Sequence, residues 1–443
     1  MHIQLSDHFT YRKLIKFTLP SIVMMIFTSI YGVVDGFFVS NFAGKTSFAA
    51  VNFIMPFLMI LGCVGFMFGT GGSALIAKTI GEGDREKANS QFSLLIYTSF
   101  ALGVIIAAVG LIFIRPLTAI LGAEGQLLED CIRYGRIILL ALPFFILQME
   151  FQSFFVTAEK PNLGLYAAIL SGVANIVLDA LLVGVFSFEL LGAAAATAIS
   201  QAIGAAIPLV YFMRPNTSLL RIGRPKMDWR ALLLTCTNGS SELMSNISMS
   251  LVSMLYNIQL YKFAGENGVA AYGVLMYVNF VFLSAFIGYV VGSAPIVSYH
   301  YGANNHSEMR NIRKKSLVLI TLCSIFMLFF SECLAIPFSK IFVGYDAELY
   351  ELTVRGFFIY SFSFLFAGIA IFGSSFFTAL NNGLVSAIIS FLRTLVFQTA
   401  AVLLLPIFIG GINGIWLSIV IAELMAAIIS VIFMIALRRK YHY

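Results

Sequence analysis

Charge is what this chain has little of. Asp, Glu, Lys and Arg make up 11% of its 443 residues, where a soluble domain carries about 25%. With 60% of residues hydrophobic, the shortage excludes a soluble globular protein and dictates an integral membrane protein. Long polar stretches are missing too, so no separate soluble domain is expected. Cysteine is sparse: Cys63, Cys131, Cys236, Cys323 and Cys333 show no paired spacing, which argues against a disulfide framework or a thiolate metal site. The five His fall in the tails and around 299–306 without ligand spacing. No P-loop, nucleophile elbow, HExxH or Asp-rich metal motif is present. The stretch KTIGEGDREKAN contains glycines but no strand precedes it, so it reads as a turn. These absences leave no expectation of an enzyme or of a cofactor.

What is present is apolar sequence in runs of about 20 residues or more, long enough to cross a hydrocarbon core about 30 Å thick. Twelve can be marked, at roughly 14–38, 48–77, 91–114, 134–157, 163–186, 190–213, 231–261, 269–298, 316–336, 356–380, 383–409 and 412–437. They exceed the ten-residue alternating segments of a membrane barrel, so the fold class is all-α. Arg12, Lys13 and Lys16 precede the first run as in a signal peptide. That run is too long, lacks a cleavage pattern and contains Asp35, so it is expected to be retained.

The net charge of +6 could suggest nucleic acid, but its placement argues against that. With the N-terminus inside, nineteen of the 27 Lys and Arg fall in inside segments, in clusters such as Arg214–Arg230 and Arg310–Lys315. This is the positive-inside bias. It implies a multi-pass protein of the cell's inner (plasma) membrane with both termini cytoplasmic.

The chain also repeats itself. AGKTSFAAV at 43–51 resembles AGENGVAAY at 264–272, an offset of 221 that also aligns Met55 with Met276, Gly71 with Gly292, Gly81 with Gly302, Pro116 with Pro337, and Thr157-Ala158 with Thr378-Ala379. Two homologous six-helix halves follow: an N-lobe over 1–213, a basic linker over 214–230, and a C-lobe over 231–443. Six spans return the chain to its starting side, so the repeats are parallel, an architecture suited to alternating access around a central cavity.

Against this background the intramembrane polar groups stand out. Asp35 lies toward the outer end of the first span. Asn175 and Asp179, four residues apart, share one face of the fifth. Thr197 lies near the outer start of the sixth, and Tyr31 is one turn inward of Asp35. In the repeat, Asp35 aligns with Tyr256, Asn175 with Val396 and Asp179 with Ala400, so the cluster belongs to one half only. A charge at mid-bilayer costs about 2.5–3.5 kcal/mol on insertion scales and usually faces the bundle interior. Two carboxylates in a partly dry pocket cannot both ionise cheaply. Such a site can load and release a proton, or its oxygens can cage Na+. A purely structural role, hydrogen-bonding to neighbouring helices, is the alternative.

At this point the chain resembles the MATE (multidrug and toxic compound extrusion) transporters over its whole length. Pro20, Tyr31, Asp35, Asn175, Asp179 and Thr197 look like the cation site of one bacterial and archaeal branch. The resemblance implies binding of H+ or Na+ there and a bend of the first helix at Pro20, which is physically reasonable because proline removes a helical hydrogen bond. Other branches place cation carboxylates on helices 7 and 10. Here the seventh span carries Glu242, but the tenth has no acid. Glu242 could instead attract cationic substrate or pair with Arg393, for which Glu423 is another possible partner. Gln148, Glu150 and Gln152 add polarity to the fourth span, and Gln148, Glu150, Glu242 and Arg393 are candidates for a substrate cavity. The resemblance implies a secondary antiporter exporting organic small molecules, expected to be cations, in exchange for H+. Na+ coupling, or flipping of a lipid-linked precursor, is the alternative. A functional monomer is expected, because one chain contains both lobes.

Overall fold

The computed structural model describes residues 3–38, 45–120 and 122–443; Ala43 and Gly44 of the repeated motif lie outside them. Among the described residues the secondary structure is helical, and the helices run as follows. The first six are α1 Tyr11–Phe38, α2 Lys45–Gly81, α3 Arg85–Ile120, α4 Gly125–Thr157, α5 Pro161–Asp179 continued by a π-wound turn Ala180–Val185, and α6 Glu189–Met213. A non-helical linker leads to Trp229–Gly302, a continuous stretch of 74 residues without an intervening loop. At 1.5 Å per residue this would be roughly 110 Å long, far more than one membrane. Gly265 resolves it: its φ of 58° and ψ of −145° turn the chain back in a conformation that a Cβ would penalise. The stretch is therefore two spans, α7 over 229–264 and α8 over 266–302.

Four more follow. They are α9 His306–Val343, α10 Ala347–Ala379 with a 3-10 turn at Ser361–Ser363, α11 over 383–410 with π-wound turns at Leu392–Phe397 and Pro406–Gly410, and α12 Gly411–Ala436. Gly410 and Gly411, both with positive φ, separate the last two. The protein is thus a twelve-helix integral membrane protein. Most spans match the apolar runs closely. The ninth is longer than its run of 316–336, because Asn305 accepts from the Glu308 N–H at 3.1 Å and starts the helix ten residues before the apolar part. Asp228 and Asp346 cap α7 and α10 in the same way.

The buried apolar side chains form three cores. One is built mostly from 252–443, joined by Leu5, Phe9, Leu14 and Phe17. The other two are built from α2 to α6 and the linker. The first and second six-helix repeats meet along α1, α2, α7 and α8. Backbones touch where glycine allows it. A Cβ at Gly71 would lie 2.1 Å from the Thr235 carbonyl, and one at Gly81 2.0 Å from the Tyr299 carbonyl. The equivalent positions repeat the pattern: Gly292 packs on Thr18, and a Cβ at Gly302 would lie 2.0 Å from the Lys78 carbonyl. Higher up, the hydroxyls of Ser29 and Ser284 hydrogen-bond between α1 and α8.

The N-terminal segment crosses the end of the molecule that carries the linker, here called the linker face. Leu5 N donates to Glu159 Oε1 at 2.6 Å, in the loop between α4 and α5. Phe9 N donates to Glu308 Oε1 at 2.8 Å, at the start of α9. The segment therefore straps one repeat to the other.

Candidate functional site

The acidic cluster is assembled by four helices. Helix α1 packs against α5, α5 against α6, and α6 against α4. Gly172 makes the first contact possible: a Cβ there would sit 2.6 Å from the Phe27 ring and 3.1 Å from Tyr31 Cδ1. Without a side chain at that turn, Tyr31 packs against α5, and Asp35, one turn further along α1, reaches Asp179. The two carboxyls face each other and interact directly. Asp179 is 0% and Asn175 2% exposed. Immediately after Asp179 the helix widens into the π-wound turn, with Phe186 N donating to Leu181 O at 2.8 Å. Such turns occur mostly as single inserts in α-helices, often at functional sites.

The oxygen atoms of this cluster are not matched by donors. Asp35 Oδ1, both carboxyl oxygens of Asp179, Asn175 Oδ1 and Thr197 Oγ1 are buried without a hydrogen-bond partner in the protein. Native interiors leave few such atoms, and each calls for an explanation. Five such atoms where α1, α5 and α6 adjoin, two of them on the carboxyl that meets Asp35, make a cluster rich in acceptors and poor in donors. A proton on one carboxyl, or a small hard cation among these oxygens, would satisfy it. No group of three His, Cys, Asp or Glu among the described residues is arranged to hold a metal ion.

One participant was not marked in the sequence. The hydroxyl of Tyr134 on α4 stands beside Thr197 and within electrostatic range of both carboxyls, and the residue is 1% exposed. A tyrosine in an apolar span carries little signal by itself. The only hint was the repeat, where Arg355 takes its place.

The other candidates disperse. Pro20 is buried within α1, which stays helical through it; the Lys16 carbonyl loses its usual donor there. Gln148 and Glu150 lie inside the first six-helix bundle instead of lining a space shared by both halves. Two residues apart, they point about 200° from each other. Gln148 Nε2 donates to Ser171 Oγ on α5 at 3.1 Å. Glu150, 0% exposed, accepts from Ser99 Oγ on α3 at 2.5 Å. Arg393, inside the first π-wound turn of α11, is committed to Glu423: Nε to Oε2 is 2.9 Å and Nη2 to Oε1 3.0 Å. Glu242 of α7 lies within electrostatic range of Arg393 and of Cys63 on α2. It is the one acidic candidate at the seam between the repeats.

Twelve spans in two repeats with a cluster of buried polar groups inside one of them are the architecture of a membrane transporter. The sequence model of the MatE family matches twice, over residues 20–181 and 243–404, and the chain belongs to the MATE family. It is similar to the multidrug export protein MepA of Staphylococcus saprophyticus, 26% identical with 97% of this chain and 94% of that protein covered. MepA of Staphylococcus aureus is 25% identical with the same coverage. Among solved structures, an outward-facing multidrug resistance MATE transporter of the MOP superfamily superimposes with a TM-score of 0.93 at 23% identity, covering 98% of this chain and 97% of that one. A MOP superfamily transporter from Pyrococcus furiosus, described as having a binding pocket of reversed polarity, gives 0.91 at 23% identity, with 98% of each chain covered.

Proposed function

We propose that this protein is a secondary active antiporter that exports organic cations from the cell in exchange for H+ bound at Asp35 and Asp179. The observation that carries the reading is the set of five buried, unpartnered oxygens around two facing carboxyls. Protonation removes the cost of burying charge there, so occupancy biases the shape of the first bundle. Tyr31, Tyr134, Asn175 and Thr197 frame the pair. Pro20 supplies the weak point at which α1 bends as the site fills and empties. Glu242, at the seam, is positioned to attract a cationic substrate. The name of the MepA relatives supports drug-like cargo.

The lobes are 1–213 and 231–443 with 214–230 as linker, in keeping with the doubled family match. The linker face is cytoplasmic, with both termini there, and the membrane is the plasma membrane. A single chain holds both lobes and works as a monomer. Na+ is the second reading. It is favoured by the donor set, because Asp35, Asn175, Asp179 and Thr197 offer only hard oxygens. A flippase for lipid-linked phosphates has less to support it, since Arg393 is already neutralised by Glu423.

The test is purified protein in liposomes, with a pH gradient and then a Na+ gradient imposed, following efflux of a fluorescent cationic dye. Efflux driven by the pH gradient and abolished by Asp179→Asn is expected. Efflux driven by Na+ alone would keep the site and change the ion. Parental efflux by Asp179→Asn would remove the mechanism.

A further inference from the structure

Below the two carboxyls the interior of the first bundle stays polar. Asn175 and Ser171 follow Asp179 along α5 at one-turn steps, Gln201 follows Thr197 along α6, and Gln148 reaches in from α4. Two contacts tie them together: Gln148 Nε2 donates to Ser171 Oγ at 3.1 Å, and Ser171 Oγ donates to the Ser200 carbonyl at 2.7 Å. Gln148 Oε1 and Gln201 Oε1 are buried and lack a protein partner, as do Asn175 Oδ1 and Thr197 Oγ1 above them. Gln148 is 6% exposed, so bulk solvent does not serve it.

Next to Gln148 a small cavity opens between α4, α5 and α6, lined by Gln152, Gly164, Ala168, Gly204 and Pro208. The space exists because Gly164, Ala168 and Gly204 bring little or no side chain. Pro208 has no N–H for the Gly204 carbonyl, which adds another acceptor at the cavity wall. Beyond it, toward the linker face, aromatic rings close the way. Phe151 stacks on Phe212 with centroids 5.7 Å apart, and Phe155 packs on Phe212 at 5.1 Å and on Tyr211 at 5.8 Å.

We propose that this file of amides and hydroxyls holds water and is the route by which the coupling proton passes between Asp179 and the linker face, separate from the seam that carries substrate. Buried polar atoms without protein partners, beside a cavity of water size, are where interior water is found. The proton hops between waters; the glutamines orient those waters and neither gain nor lose a proton themselves. The aromatic cluster is the element that must part for the proton to finish its passage. A bore that admits single waters is too narrow for hydrated Na+. This inference rests on reading Asp179 as a proton site.

The experiment compares the parent with Gln148→Leu, Gln201→Leu and Ala168→Leu in liposomes. Each variant blocks the route with an apolar side chain from a different helix. The expected result is dye efflux under a pH gradient slowed about tenfold, the scale of one lost hydrogen bond to the path. Dye binding in detergent, and dye-for-dye exchange at equal pH, stay at parental levels. Those two readouts also report folding, so a variant that misfolds is recognised and the others decide. Parental pH-driven efflux in the variants that bind dye would overturn the file while leaving the antiport reading intact. A parent protein that ignores the pH gradient, or answers to Na+ instead, would overturn both.

Discussion

Arg393 and Glu423 form a forked ion pair, with side chains 15% and 6% exposed, in helices that are otherwise apolar. Removing one partner from such a pair leaves a buried charge unmatched and costs about 3–5 kcal/mol, whereas replacing both with apolar groups is often neutral. Arg393→Met is therefore expected to lower the unfolding temperature in detergent sharply. The double variant Arg393→Met with Glu423→Leu should return most of the loss. Equal losses in the single and double variants would mean that the pair is not the source of the stability. The contrast with Asp35 and Asp179 explains what could be read from residues alone. A charge in an apolar run is conspicuous, so all four were visible. Partnership depends on which helices adjoin, so Arg393 was left between two acids until the packing chose Glu423. Tyr134 stayed hidden for the opposite reason, since its chemistry is common in membrane helices. Glu150 was visible, but the face it turns to α3 was not.

At the level of elements, hydropathy located the twelve spans because their cores face lipid or other helices and need apolar side chains throughout. It was silent where polar residues are helical, as at His306–Ser316; at 262–268 it marked the break between two runs, and Gly265 is the residue that reverses the chain there. Hydropathy also gave no sign that residues 3–10, ahead of the basic Arg12, Lys13 and Lys16, are tied to both repeats. Their anchor on the second repeat is Glu308. Burial pushes its carboxyl up, but the Phe9 N–H and the side chains of His8 and Asn311 outweigh this and hold it below the usual carboxylate range. A depressed folded value means that the anchor contributes stability above the ordinary Glu range and loses it only as pH falls through the lowered value. The other titratable groups on the strap are Glu159, which accepts from the Leu5 N–H at 2.6 Å, Lys315, which donates to the Phe9 carbonyl at 2.7 Å, Asp7 and Lys13, paired at 3.2 Å, and His8 and His300. A spin label on Ser6→Cys should stay immobile from neutral pH down through the ordinary carboxylate range and become mobile only below it. Glu308→Gln should free the label already at neutral pH. A label that loosens within the ordinary carboxylate range would show that Glu308 does not hold the strap.

The whole molecule is a duplicated scaffold in which the acidic cluster of Asp35 and Asp179 occurs only once. The offset of 221 that aligns the two halves also maps one set of inter-repeat contacts onto the other. Gly71 on the Thr235–Gly239 backbone corresponds to Gly292 on Thr18, and Gly81 on the Tyr299 carbonyl corresponds to Gly302 on the Lys78 carbonyl. What is doubled is what any rocking pair needs, a close seam with a twofold partner. What is unique to one half is the acidic cluster, which in the proposed mechanism is what makes the motion depend on an ion. The seam at the linker face leaves no room for a methyl group, since a Cβ at Gly302 would meet a backbone carbonyl at 2.0 Å. Gly302→Ala is therefore expected to wedge the two halves apart on that face and shift the population toward the state open there. Spin labels on Glu86→Cys and Asn304→Cys should report a longer and broader distance distribution in the variant. Gly273→Ala is the control, because nothing lies within 4 Å of a Cβ at that position, and it should leave the distribution alone. If Gly302→Ala changes nothing, the backbone contact is not what holds the linker face shut, and the strap at residues 3–10 becomes the remaining closure. If both substitutions lengthen the distance, the effect is general to helix glycines and the seam has no special part in closure.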